Sequence, residues 1–361
     1  MKSEIGSDFW IESAPTITNA GLGSPSIFNC GGSDYVWTSS GRSATELVIQ
    51  TIEERNPAVR KVACLPAFTC HTVFEPFVRA GYAVVTLPNG TDMMTSASEL
   101  LSVVREAKAG VVLLHRYFGF DTLPDVERAI VQLRHGGVVV IEDCTQSMYS
   151  GFPRIDADYF VGSIRKWCGV PDGGVAVCKE GTFTVKPHVA DRVLEDLKVQ
   201  ASERKRKYIE YGEGDKDEFL MLYRKAEDTL DAQSHIYSIS PTSIAVQSNL
   251  DVARLKQKRR VNYQYLLQSL ASVKQVVPIF SEMADEVVPL YLPVLCEDRP
   301  TVRRILISQA IYAPIVWPKD DHCPAVCREA DYIYEHILCI PIDQRYDLDD
   351  MQRVADVLMS I

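Results

Sequence analysis

The run Val138-Val139-Val140-Ile141 restricts this chain more than any other feature. Four consecutive β-branched apolar residues are too few for a typical helix and suit a buried strand. Strands buried on both faces belong to parallel sheets covered by helices. The run leads into Glu142-Asp143, so two carboxylates stand at the carboxyl end of the strand, the edge of an open α/β sheet where ligands bind. Lys166 lies 23 residues after Asp143, within Ser163-Ile164-Arg165-Lys166-Trp167. Pro171-Asp172-Gly173-Gly174 follows, and then another apolar strand-like run at 175–178.

Similar runs occur at 61–65, 83–87 and 110–114, with a helical pattern at 97–107 between the last two. Strand and helix alternating about every thirty residues predict an α/β protein with a mainly parallel, doubly wound sheet. Residues 1–37 read as polar and irregular, 183–232 as charged and helix-like, and 244–270 as one amphipathic helix. Further on, 287–294 reads as a strand and 301–310 as a helix.

At 361 residues the chain is long enough for two domains. A formal charge of −10 argues against a general binder of nucleic acid or anionic membrane. No run of eighteen apolar residues occurs and residues 1–13 lack the apolar core of a signal peptide, which implies a cytoplasmic protein. The ten cysteines lie mostly in apolar runs or singly, as reduced thiols do. His322-Cys323 and Cys327 have metal-ligand chemistry, but no second cluster completes a tetrahedral set, and no metal is expected.

An acid closing a strand, followed by a lysine in a turn before another strand, is the pair that pyridoxal phosphate (PLP) requires. The lysine amine bonds the cofactor aldehyde. The carboxylate keeps the pyridine nitrogen protonated, so that the ring can accept electrons. Small residues at Ser39-Ser40-Gly41-Arg42-Ser43-Ala44 precede a helix over 45–54, whose first amides would meet a phosphate. The same serines would serve equally as an ordinary helix cap.

In this order, Glu142-Asp143-Cys144-Thr145-Gln146-Ser147, Ser163…Lys166 and Gly173-Gly174 resemble the DegT/DnrJ/StrS family of PLP-dependent sugar aminotransferases, of fold type I. The resemblance covers roughly 30–350, with its specific motifs in the first half. It implies that Lys166 is the Schiff-base lysine, that Asp143 holds the ring nitrogen, and that Gln146 meets the ring 3-oxygen. It places Gly41, Arg42 and Ser43 at the phosphate, with Arg42 where the family has Thr, and Phe68 and Thr145 on the two faces of the ring. Ser163 is a further phosphate candidate. His115-Arg116-Tyr117-Phe118-Gly119 resembles the family segment that follows the strand at 110–114.

The resemblance also implies a large PLP-binding domain at 1–245, a small C-terminal domain at 246–361 and a homodimer. Its substrates would be glutamate or glutamine as amino donor and a keto sugar, nucleotide-linked, as acceptor. Ile236 and Ser238 depart from the family's Asn and Arg, which leaves the usual phosphate contact from a partner subunit open. Two alternatives stay open: other amino-acid chemistry on the same cofactor, and a non-catalytic or regulatory member. A Rossmann oxidoreductase is disfavoured, because no G-x-G-x-x-G follows the first strand.

Overall fold

A computed structural model describes residues 4–11, 30–319 and 327–361. In chain order the elements are β1 (Ile5–Gly6), β2 (Asp34–Thr38), α1 (Gly41–Arg55), β3 (Val62–Pro66), α2 (His71–Arg79), β4 (Ala83–Leu87) and α3 (Ala97–Glu106). There follow β5 (Val111–His115), α4 (Glu127–His135), β6 (Val139–Asp143), β7 (Tyr159–Ser163), β8 (Gly174–Cys178), α5 (Arg192–Tyr211) and α6 (Lys216–Asp231). The chain continues through α7 (Pro241–Ser248), α8 (Val252–Ser269), β9 (Val277–Pro278), β10 (Leu292–Leu295) and α9 (Arg299–Ser308). It closes with β11 (Ile311–Tyr312), α10 (Arg328–His336), β12 (Ile337–Ile340) and α11 (Leu348–Met359). No helix among the described residues is long and apolar enough to cross a membrane.

Contacts divide the chain into two compact units. The first holds the described residues of 4–7, 60–158 and 251–361. Its main sheet is all parallel, in the order β6-β5-β3-β4, with His115 opposite Asp143 where β5 and β6 end. The apolar runs seen in the sequence become these strands because all five residues of β5 are buried, as a sheet covered on both faces requires. A smaller antiparallel sheet, β12-β10-β9, packs with α8, α9, α10 and α11 around a core that includes Leu292, Val294, Leu306, Ile333, Leu338 and Val354.

The second unit holds the described residues of 8–59 and 159–250. Its strands run antiparallel, β2-β8-β7. The charged stretch 183–232 folds into the helices α5 and α6. Asp191 starts α5 by accepting from the Val193 and Leu194 amides, and Asp215 starts α6 by accepting from Asp217. Leu194, Leu197, Ala226 and Leu230 form the apolar seam. Beyond it Lys205, 1% exposed, lies over the rings of Trp10, Phe219 and Tyr223 and donates to the Asp8 carbonyl.

Three expectations change. Residues 34–38 are a strand, not irregular chain: Asp34–Thr38 pair with β8, a tertiary contact that overrides their mixed composition. The helix expected over 244–270 is two helices. Asn249 caps the end of α7, and Asp251 starts α8 by accepting from the Arg254 amide, so two polar caps in three residues break the run. The strand expected over 287–294 is confined to Leu292–Leu295. Pro289, which has no amide to donate, lies in the stretch that loses its ladder.

Candidate active site

Within the first unit, the candidate side chains stand at or just after the end of a parallel strand. Asp143 is half-buried and accepts from the Thr145 amide at 2.8 Å. Burial raises its carboxyl above the ordinary range, partly offset by the hydrogen bonds from Thr145. Gln146 is 5% exposed, and its Oε1 accepts from the Phe118 amide at 3.0 Å, which turns the side-chain NH₂ into the group left to donate. Thr145 is half-buried. Beneath them Glu142, fully buried, pairs with Arg116 and Arg154 and accepts from the Ile155 amide at 3.0 Å. Of the two acids, Glu142 is therefore spent on structure, while Asp143 is half-buried and bonded by Thr145.

Phe68 lies among aromatic neighbours. It is 0% exposed, with Tyr334 at 4.7 Å, Trp317 at 5.2 Å and Tyr117 at 5.8 Å between ring centroids. The Tyr117 hydroxyl also donates to its carbonyl at 2.7 Å. Its ring is thus buried in an aromatic cluster of tilted and edge-on neighbours. His115 stands in the sequence only as the first residue of the His115-Arg116-Tyr117-Phe118-Gly119 segment, with no role of its own; in the structure it is 3% exposed and in register with Asp143.

Within the second unit, α1 begins at Gly41, earlier than the expected 45, so Gly41, Arg42 and Ser43 form its first turn. Ser40 caps it, accepting from the Ser43 amide at 3.1 Å. The first amides of any helix lack intrahelical acceptors and carry the positive end of the dipole. Ser163 lies against this turn: a Cβ on Gly41 would stand 3.3 Å from the Ser163 Cβ. The Ser163 hydroxyl donates to the Gly173 carbonyl at 3.1 Å. Arg42 does not aim its guanidinium at this turn. That group donates to the Leu230 carbonyl at 2.8 Å and pairs with Asp231 at 3.0 Å, so what Arg42 offers at the helix start is its backbone amide.

Lys166 closes the 3-10 turn Ile164–Lys166 and its side chain is exposed. Its neighbour Arg165 is pinned to Glu227 of α6, which also accepts from Lys198. Burial raises the Glu227 carboxyl, but the two cations outweigh it and hold the carboxyl down at about 2. Asp172, fully buried after the turn, accepts from the Ser240 amide at 3.0 Å, the Ser240 hydroxyl at 2.7 Å and the Ser243 hydroxyl at 2.5 Å. Burial raises it to about 6 against these bonds. Gly173 then takes φ +133°, which favours glycine, and its amide donates to the Ser39 carbonyl at 2.8 Å. Ile236, in the place of the family's Asn, is 5% exposed and packs into this unit.

Among the described residues no group of three or more His, Cys, Asp or Glu is placed to hold a metal ion, and His322 and Cys323 lie outside them.

No protein-family model matches the sequence, and no curated protein does. Solved structures do match in three dimensions. PseC of Helicobacter pylori, an aminotransferase involved in the biosynthesis of pseudoaminic acid, superposes with a TM-score of 0.67 over 98% of each chain at 14% identity. The sugar aminotransferase CalS13 of Micromonospora echinospora gives 0.64 over 90% of this chain and 87% of its own, at 18% identity. Spr1654 of Streptococcus pneumoniae, in its PLP form, gives 0.65 over 98% of each chain at 13% identity. Together with the parallel sheet, these matches make the chain an α/β protein with the fold of the sugar aminotransferases.

Proposed function

We propose that the chain is a PLP-dependent aminotransferase of the DegT/DnrJ/StrS type, moving an amino group from glutamate or glutamine to a keto sugar, nucleotide-linked, in cell-surface polysaccharide or secondary-metabolite biosynthesis. The observation that carries the reading is Lys166, exposed at the close of a turn whose following Gly-Gly packs on the start of α1, in a chain of this fold. The residues suit the cofactor's groups. The Gly41, Arg42 and Ser43 amides with Ser163 suit a phosphate, Asp143 suits a ring N–H, and the Gln146 NH₂ suits a phenolic oxygen. A ring N–H beside Asp143 would also offset the burial that now raises its carboxyl.

Bound PLP supplies an electron sink for the bond broken at the substrate α-carbon. The chain's own share is positional and acid–base. Lys166 would be the residue that holds the cofactor covalently, and its amine, when free, would hold and move the proton of the donor's α-carbon. Asp143 stays ionised to keep the ring nitrogen protonated. Thr145 and Gln146 would help hold the ring, Gln146 by donating its NH₂ to the phenolic oxygen. The reading includes a large domain at 1–245, a small domain at 246–361, a homodimer and a cytoplasmic setting.

The buried Ile236 lends weight to a second reading, other amino-acid chemistry on the same cofactor, because an apolar side chain cannot make the polar contact of the family's Asn. The visible spectrum of the protein supplied with PLP separates the two. A band lost on adding glutamate or glutamine supports amino transfer. A band indifferent to both supports the second reading, and no band in the wild type contradicts each.

A further inference from the structure

His115 ends β5, directly opposite Asp143 at the end of β6. Register partners in adjacent parallel strands project to the same face, about 5 Å apart. The imidazole is 3% exposed and is held edge-on by Tyr117, at 4.3 Å and 69°, and by Trp317, at 5.9 Å and 81°. Burial drives its pKa down to about 3, opposed only by the nearby Phe68 backbone, so the ring is neutral and carries one N–H donor and one bare nitrogen acceptor. By distance and angle neither nitrogen meets a hydrogen-bond partner, although the Phe68 backbone lies near enough to oppose the shift. A fixed, buried imidazole with both polar positions open is costly to keep in a folded chain. Packing alone would be better served by a hydrocarbon ring. It stands at the strand ends in register with Asp143, and the loop that follows Asp143 carries Gln146, whose NH₂ is the group left to donate.

We propose that His115 is a cofactor-binding residue: its N–H donates to the phenolic oxygen of the bound pyridine ring, as a second donor beside Gln146. The proposal rests on the PLP reading. In that complex the open donor of His115 is satisfied and the ring oxygen is shared between two neutral donors. The Tyr117 and Trp317 contacts supply the rigidity such a contact needs.

The test compares wild type with His115→Phe, which keeps the ring footprint and removes both nitrogens. Three quantities are read: the melting temperature without ligand, its rise on adding PLP, and the PLP dissociation constant from absorbance titration. The expected result is a ligand-free H115F that melts about 2 °C higher, with a smaller rise on PLP and affinity weakened about tenfold. An H115F that binds PLP within twofold of wild type overturns the proposal while leaving the PLP reading intact. A wild type that takes up no PLP overturns both. Should H115F not fold, the wild type decides alone through ¹⁵N-histidine spectra: a ring-nitrogen shift for His115 on adding PLP is expected, and no shift contradicts the proposal.

Discussion

Gly174 approaches Ser40 so closely that a Cβ on it would stand 2.0 Å from the Ser40 carbonyl oxygen. The strand that follows the Lys166 loop is thus laid directly on the residue that caps α1. The obstacle is backbone, which cannot swing aside as a side chain can. Gly174→Ala is therefore expected to destabilise the protein by more than roughly 3 kcal/mol, read as the shift in a denaturant midpoint. A loss under ~0.5 kcal/mol, the scale of an ordinary surface change, would show that the two segments do not lie this close.

Asp172 makes a pH prediction of the less usual sign. Its folded-state pKa, about 6, lies above that of an unfolded Asp, so the folded chain takes up the proton first. The contribution is fully present below the unfolded value, near pH 4, and is lost as pH rises through about 6. From this group stability rises by roughly 2–3 kcal/mol between pH 7 and 4. Asp172→Asn should flatten that slope when chemical denaturation is followed across the window, and an unchanged slope would assign the effect elsewhere.

Glu227 has the opposite sign. Arg165 and Lys198 hold its folded pKa at about 2, below the unfolded value, so its contribution is present above about pH 4.5 and lost as pH falls through 2. Because its side chain is 45% exposed, water screens the pairs and Glu227→Gln should cost only about 1 kcal/mol. The more telling readout is the rate at which PLP links to the protein. Freed from Glu227, Arg165 no longer anchors the turn that ends in Lys166, and linkage should slow several-fold; an unaltered rate would mean the turn holds itself.

Phe68→Leu tests the aromatic core. A smaller apolar side chain among Tyr117, Trp317 and Tyr334 is expected to cost roughly 1–2 kcal/mol. PLP affinity should stay within twofold of wild type, since the ring is buried in the aromatic cluster. A tenfold loss of PLP affinity in a folded variant would place Phe68 at the cofactor.

What the sequence made legible was local. The apolar runs announced β3, β5 and β6 because strands covered on both faces need continuous apolar side chains, and β4 by the same pattern although it is largely half-buried. The acids that close β6 marked the sheet edge by position alone. What stayed illegible depends on partners far along the chain. Nothing near Arg42 shows that its guanidinium is taken by Leu230 and Asp231. Nothing near Asp172 shows Ser240 and Ser243, and Phe68 reads the same whether its ring faces a ligand or three aromatic neighbours. The stretch 183–232 reads only as charged and helix-like, yet it buries Lys198 and Lys205, whose stems and charges are met by Glu227, Tyr223 and Trp10.

The most direct test of the central claim is chemical. The protein is incubated with PLP, reduced with borohydride to fix any lysine–cofactor bond, digested, and mapped by mass spectrometry. The account predicts one pyridoxyl-modified peptide carrying Lys166, absent from Lys166→Ala. Modification spread over surface lysines, or concentrated on a different one, would contradict it.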